Sequence, residues 1–117
     1  MDEWMKLTDN GGAYIRRGSV LRIPKSPKGT FDWYPDAYTD FLIFDPAKDG
    51  VYGLMVSSGH KSGMTYLIFP SESKGNNAIG LQRAWLIDNW RKWVYPDGTP
   101  DEVWIRGPKS IDSLDAD

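Results

Sequence analysis

The chain has 117 residues, a length that fits one domain and leaves little room for a second. It contains no cysteine, which excludes a disulfide framework, a thiolate nucleophile and a thiolate zinc site. Its formal net charge of −2 argues against a general affinity for nucleic acid. We therefore predict a single domain over residues 1–117, with its core at about 13–107 and a flexible acidic tail at 108–117.

Five short runs rich in β-branched and aromatic residues predict β-strands. They are residues 19–23, 38–44, 51–58, 64–69 and 102–106. The dipeptide Asp49-Gly50 separates the second run from the third, so these two runs should form a hairpin with its loop near 46–50. The middle runs are apolar on both alternating faces, as Leu42 and Ile43 show. This pattern indicates a sheet covered on both sides, or a small closed barrel with something packed outside.

Residues 81–94 have the periodicity of an amphipathic helix. One arc of about 120° on the helical wheel is apolar, and we predict that it packs into the structural core. Its members include Leu86, Trp90, Trp93 and Val94. Four strands, a helix and a last strand predict an α+β fold that is mostly β. The expected architecture is an antiparallel sheet or half-open small barrel with one amphipathic helix packed on it.

The sequence shows no pattern typical of an enzyme. His60 is the only histidine, and the serines near it, such as Ser58, lack a strand-to-helix nucleophile turn. The carboxylate pair Asp36 and Asp40, four residues apart, lies at the entry of a predicted strand. No cluster has the spacing of metal ligands, and the glycines of 59–63 do not make a phosphate-binding loop. We expect no catalytic residue, metal or cofactor, and a hydrolase built on His60 is the least favoured alternative.

Two tryptophans stand apart from the predicted core. Trp85 lies about 140° from Trp90 on the helical wheel. Trp104 shares a strand face with Glu102 and Arg106. Each could cover a small second cluster, since large aromatic side chains are usually mostly buried. Alternatively, each could anchor a protein interface, where tryptophan is enriched.

A proline-bounded segment alternates carboxylates with aromatic rings. It contains Asp32, Trp33, Tyr34 and Asp36, and Asp40 follows in the next predicted strand. Such a surface can pair with lysine and arginine of a basic protein while its rings fill apolar hollows. The alternative is an ordinary solvated connection with its rings turned inward.

The basic residues are concentrated before this acidic segment. Residues 16–28 contain Arg16, Arg17, Arg22, Lys25 and Lys28 and no acid. A small barrel-like nucleic-acid-binding module that uses residues 16–28 is therefore the alternative function. The acids that follow immediately would repel phosphate unless the fold separates the two blocks, so nucleic acid is not the favoured partner.

Three segments carry a resemblance to a known family. They are RGSVLRIP at 17–24, VSSGHKSG at 56–63 and WLIDNWRKWVYP at 85–96. The chain resembles the immunity proteins of bacterial polymorphic-toxin systems, specifically immunity protein family 45, over about residues 16–106. The resemblance implies a small, mainly β protein, encoded beside a toxin, that binds and neutralises it. It carries over Arg17, Trp85, Trp90 and Trp93 as residues of the family's pattern.

We therefore predict a non-enzymatic immunity protein whose partner is a cognate bacterial toxin domain. A toxin that attacks nucleic acid needs a cationic cleft, so a nuclease-type toxin would suit an acidic immunity surface. The toxin-facing residues in this hypothesis are Asp32, Trp33, Tyr34, Asp36, Asp40, Trp85 and Trp104. No cationic-then-apolar leader is visible and no apolar run approaches the ~18 residues of a membrane helix, so we expect a cytoplasmic protein without membrane contact. The identity of the toxin and the oligomeric state are left open.

Overall fold

The described part of the chain, residues 4–9, 11–25 and 37–108 of a computed structural model, contains six β-strands and two short helices. The strands are β1 Met5–Lys6, β2 Val20–Pro24, β3 Tyr38–Lys48, β4 Val51–Val56, β5 Thr65–Ile68 and β6 Trp104–Arg106. The helices are α1 Arg83–Asp88 and α2 Trp90–Trp93, and single 3₁₀ turns lie at Ser71–Lys74 and Pro100–Glu102. The predicted acidic tail lies outside the described residues from position 109 onward.

The six strands form one open sheet in the order β1-β6-β2-β3-β4-β5. Every neighbouring pair is antiparallel. This architecture confirms the predicted α+β, mostly β class and realises its antiparallel-sheet form. Because β6 lies between β1 and β2, the two ends of the described chain meet in the same half of the sheet.

The β3–β4 hairpin turns at Asp49 and Gly50, as the sequence predicts. Both residues have positive φ angles, 57° and 75°, which is the conformation of a two-residue type I′ turn. Strand β3 continues past Pro46 because the register shifts between Phe44 and Lys48. Such a bulge leaves a position without a ladder hydrogen bond, where proline is tolerated.

The predicted single helix over 81–94 is interrupted at Asn89. The backbone of Asn89 has φ −111° and ψ 14°, outside the helical range, and separates α1 from α2. Its side-chain Nδ2 donates to the carbonyl of Trp85 at 2.9 Å, a carbonyl that the Asn89 backbone N–H also contacts at 3.0 Å. A short amide side chain competes with the helical ladder in this way. A helical wheel drawn over residues 81–94 therefore gives the wrong angle between side chains on opposite sides of residue 89.

The core lies between one face of the sheet and the helices. Leu21, Ile43 and Leu54 of the sheet are fully buried, as are residues of the two helices. The buried core includes Leu7, Ile15, Leu21, Ile23, Phe41, Ile43, Tyr52, Leu54, Val56, Phe69, Leu81, Leu86, Trp90, Val94, Tyr95, Val103 and Ile105. Trp93, which the helical wheel assigned to the core with Leu86, Trp90 and Val94, is instead 37% exposed, because the break at Asn89 rotates it outward.

Arg83 fastens the N-terminal loop to the first helix. Its Nε donates to the carbonyl of Gly12 at 2.8 Å, and its two Nη atoms donate to the carbonyls of Leu7 and Gly11 at 2.8 and 3.0 Å. Burial lowers the pKa of the Arg83 guanidinium from its usual value. The loop held in this way directly follows β1, so Arg83 helps to position the edge of the sheet that carries Trp4 and Lys6.

Candidate functional site

The sheet has a second face that the described residues cover only in part. On β3, Phe41 and Ile43 point into the core, and the intervening Leu42 and Phe44 point the other way and are half-buried. Tyr38 and Trp104 lie on the same outer face and are 43% and 41% exposed. The apolar residues on both faces of the middle strands thus belong to a core face and to a partly exposed face of one open sheet.

Antiparallel pairing gathers aromatic and charged side chains at one end of this outer face. Arg22 of β2 lies opposite Asp40 of β3 and opposite Trp104 of β6. Lys6 of β1 also lies opposite Trp104. We define the arginine–aromatic cluster as Trp4, Lys6, Arg22, Tyr38, Asp40, Trp104 and Arg106.

Arg22 lies at the centre of the arginine–aromatic cluster. Its guanidinium carbon is 4.4 Å from the ring centroid of Trp4 and 4.2 Å from that of Tyr38. Its Nε and Nη2 atoms donate to the two carboxylate oxygens of Asp40 at 2.9 and 3.0 Å. Aromatic rings contact the faces of the guanidinium and a carboxylate accepts from its edge, an arrangement that arginine supports and lysine does not.

Two further cations contact the rings of the cluster. The guanidinium carbon of Arg106 lies 5.0 Å from the Trp4 ring centroid, and Lys6 Nζ lies 4.7 Å from that of Trp104. The Nε atom of Arg106 is buried and has no hydrogen-bond acceptor. The cluster therefore holds three cations and one carboxylate, so its formal charges sum to an excess of cations.

Comparison with known proteins assigns the chain to a family. The model of the immunity protein 45 family matches residues 7–105. The chain belongs to the immunity protein 45 family. No curated protein and no solved structure matches it. The match confirms the resemblance carried by the segments at 17–24, 56–63 and 85–96, gives the chain an immunity function and implies a cognate toxin as its partner.

The residues predicted to face the toxin fall into three groups in this immunity protein 45 domain. Asp32, Trp33, Tyr34 and Asp36 lie outside the described residues. Asp40 and Trp104 both lie in the arginine–aromatic cluster, on the strands that flank Arg22. Trp85 lies elsewhere, among the aromatic side chains near the helices: its ring centroid is 5.9 Å from that of Phe69 and 6.0 Å from that of Trp93.

Five cluster residues were not predicted to face the toxin: Trp4, Lys6, Arg22, Tyr38 and Arg106. Trp4 and Lys6 belong to a two-residue strand and its flank, which are too short to give a periodic signal. The shared strand face of Trp104 and Arg106 was visible in the sequence, but the ring that joins Arg106 to Arg22 comes from the opposite end of the chain.

His60 is exposed in the turn before β5. Among residues 4–9, 11–25 and 37–108, no three His, Cys, Asp or Glu side chains are grouped to hold a metal ion. An open groove of about 210 Å³ lies beside Tyr14 and Arg83. The cation at this groove is Arg83, whose Nε and Nη atoms already donate to backbone carbonyls. No helix in this part of the chain is both long and apolar enough to cross a bilayer.

Proposed function

We propose that this member of the immunity protein 45 family neutralises its toxin by direct protein–protein contact through the arginine–aromatic cluster. The observation that carries the proposal is the exposure of Tyr38 and Trp104 beside two stacked arginines on one face of the sheet. Tryptophan, tyrosine and arginine are the residue types that most often dominate binding energy at protein interfaces. Stacking and ion pairing also hold these side chains in place before binding, which lowers the entropy cost of association.

Inhibition of this kind needs no chemistry on the part of the immunity protein. One immunity protein occupies one toxin domain, and protection depends on the affinity and lifetime of the complex. Family membership and the exposed position of His60 support this non-enzymatic mechanism. The protein would act in the bacterial cytoplasm within a polymorphic-toxin or contact-dependent inhibition system.

A nuclease-type toxin remains the toxin class that we propose. Asp32 and Asp36 support this class, because their carboxylates would pair with the cationic cleft that such a toxin uses for nucleic acid. Asp40 supports it less than the sequence suggests, since both of its carboxylate oxygens accept hydrogen bonds from Arg22.

The test uses the toxin domain encoded beside this protein, inactivated by mutation, and titration calorimetry. Trp104→Ala should weaken binding by about 30-fold or more, the loss that defines an interface hot spot. Ile79→Ala is the control, because Ile79 is a large apolar residue that is 53% exposed and lies outside the cluster. Equal affinities for wild type and Trp104→Ala, with both proteins folded, would contradict the proposed surface.

Binding of single-stranded nucleic acid is the alternative function. Aromatic rings and arginines on an open sheet face are also the features of stacking platforms for single strands. Against this function, the Arg22 guanidinium already lies against the rings of Trp4 and Tyr38, where a base would have to stack. Titration with labelled single-stranded DNA and RNA over a range of salt concentrations separates the two, because phosphate contacts give a steep salt dependence.

A further inference from the structure

Arg22 and Arg106 contact the same aromatic ring but differ in their hydrogen bonds. Their guanidinium carbons lie 4.4 and 5.0 Å from the centroid of Trp4. Arg22 donates from its edge to both oxygens of Asp40. The Arg106 side chain makes no hydrogen bond or ion pair with a described residue, and its Nε–H is buried without an acceptor.

The unused donors of Arg106 point to a missing anion. A guanidinium that rests on an aromatic ring keeps its in-plane N–H groups for a planar, two-oxygen acceptor, as Arg22 demonstrates beside it. The Nη groups of Arg106 have no acceptor among the described residues and are not buried as Nε is, so they are the donors that a partner's acceptor can reach. The excess of cations in the cluster favours a negatively charged acceptor.

We infer that Arg106 binds a carboxylate of the toxin, an aspartate or glutamate side chain bordered by an apolar surface that contacts Trp104. This inference rests on the proposed function. Trp4, Lys6 and Arg106 lie just outside residues 7–105, the range that the family model matches. The carboxylate contact would therefore help this chain to select its own toxin, beyond what the family pattern supplies.

The inference predicts an acidic spot on a toxin whose nucleic-acid cleft is basic. Arg106 would meet the acidic spot, and the described carboxylates of this chain would be repelled by it. Charges of both signs on each partner fix the orientation of the complex, because any other orientation brings like charges together.

The experiment compares Arg106→Met, Arg106→Lys and Arg16→Met in binding to the inactivated toxin domain encoded beside this protein. Arg106→Met keeps an unbranched apolar side chain and removes the charge, the donors and the guanidinium contact with Trp4. It should weaken binding by about 10- to 100-fold, whereas Arg106→Lys should lose less because it keeps the charge. Arg16 is exposed and lies outside the cluster, so Arg16→Met should bind as wild type does.

A double-mutant cycle then identifies the carboxylate on the toxin. Each surface Asp or Glu of the toxin domain is changed to Asn or Gln and paired with Arg106→Met. One toxin substitution should weaken binding to wild type and have little further effect on binding to Arg106→Met. The absence of any such coupled carboxylate would overturn the inference.

The remaining outcomes separate the inference from the proposed function. If Trp104→Ala weakens toxin binding and Arg106→Met does not, the cluster is the interface and the carboxylate contact is wrong. If neither weakens it, the proposed surface itself is wrong. Urea unfolding of a variant with Asp112, Asp115 and Asp117 all changed to Asn tests this chain's own tail. If its loss in free energy of unfolding is not additive with that of Arg106→Met, the tail supplies the carboxylate and the inference is wrong. If Arg106→Met lowers the affinity for single-stranded DNA and leaves the affinity for the toxin unchanged, the inference is wrong and the nucleic-acid function is favoured.

Discussion

The Arg22 guanidinium and the Asp40 carboxylate form a two-point ion pair across strands β2 and β3, with N–O distances of 2.9 and 3.0 Å. The side chains of Arg22 and Asp40 are only 33% and 16% exposed. Partial burial and ring contacts on the guanidinium make this pair stronger than a solvent-exposed one. Its first role is to hold β2 and β3, the two central strands of the sheet, in register.

Arg22→Met should therefore lower the free energy of unfolding by about 2–3 kcal/mol, because it leaves the half-buried Asp40 carboxylate without its partner. Arg17→Met is the matched control. Arg17 pairs with Asp45 at a single contact of 3.4 Å and its side chain is 66% exposed. Its replacement should cost less than about 1 kcal/mol in urea unfolding. Equal losses for the two variants would mean that the buried pair has no special role.

Charge reversal of the acidic segment should act on association with the toxin. Asp32→Lys with Asp36→Lys keeps both members of the Arg22–Asp40 pair, and urea unfolding of the variant checks its stability separately. We expect an association rate that falls by about 10-fold at low salt and a smaller difference at high salt. Stopped-flow mixing with the inactivated toxin domain measures both. An unchanged rate at low salt would rule out a cationic toxin surface opposite these two residues.

Gly50→Ala should destabilise the protein more than the same change at Gly63. Both glycines have positive φ angles, 75° and 95°, so alanine strains the backbone at either position by about 1–2 kcal/mol. A Cβ at Gly50 would also lie 2.1 Å from the carbonyl oxygen of Ala78, whereas a Cβ at Gly63 meets nothing within 4 Å. Chemical unfolding should show a further loss on the order of 2 kcal/mol for Gly50→Ala. Similar losses would show that the close approach of the hairpin to residue 78 is unimportant.

Arg83→Lys should loosen the N-terminal loop. Lysine has one charged nitrogen and cannot reproduce three hydrogen bonds to the carbonyls of Leu7, Gly11 and Gly12. We expect a loss of about 2 kcal/mol and faster hydrogen exchange at Ile15, whose N–H donates to Leu81 at 2.8 Å.

Arg91→Lys is the matched substitution for this test. Arg91 donates only to the carbonyl of Pro96, from Nε and Nη2 at 3.1 Å each, and it is exposed. Its replacement should leave exchange at Ile15 as slow as in wild type. Acceleration by both variants would point to a general loss of stability and not to release of the loop.

Tyr66 should make the protein less stable at high pH. Burial raises the pKa of the Tyr66 phenol well above its usual value, with a smaller contribution from Tyr95, and the hydroxyl donates to the carbonyl of Val94. The folded state therefore keeps the phenol neutral at a pH where the unfolded chain ionises it, above about 10. The free energy of unfolding should decrease as the pH rises through this range.

Urea unfolding at pH values on both sides of this range measures the effect. In Tyr66→Phe the decrease should be smaller, although the variant is less stable at neutral pH because the hydrogen bond to Val94 is lost. Tyr14→Phe is the control, since Tyr14 is 41% exposed. A high-pH decrease that Tyr66→Phe leaves unchanged would assign it to other groups.

Local sequence determined the strands, the tight hairpin and the family. The Asp49-Gly50 turn follows from two residues that tolerate positive φ, and the strand runs follow from side chains that pack on a pleated surface. These features depend on near neighbours along the chain, so composition and spacing predict them. The segments at 17–24, 56–63 and 85–96 likewise carry the family pattern without reference to the fold.

Tertiary structure alone decided which aromatic and charged residues share a surface. Trp93 lies outside the core because a single side-chain amide at Asn89 interrupts the helix, and periodicity does not register such a break. Trp4, Arg22 and Arg106 meet because β6 pairs between β1 and β2, which brings together residues from both ends of the chain. Pairing between distant strands depends on the packing of the whole sheet, and local sequence contains too little information to specify it.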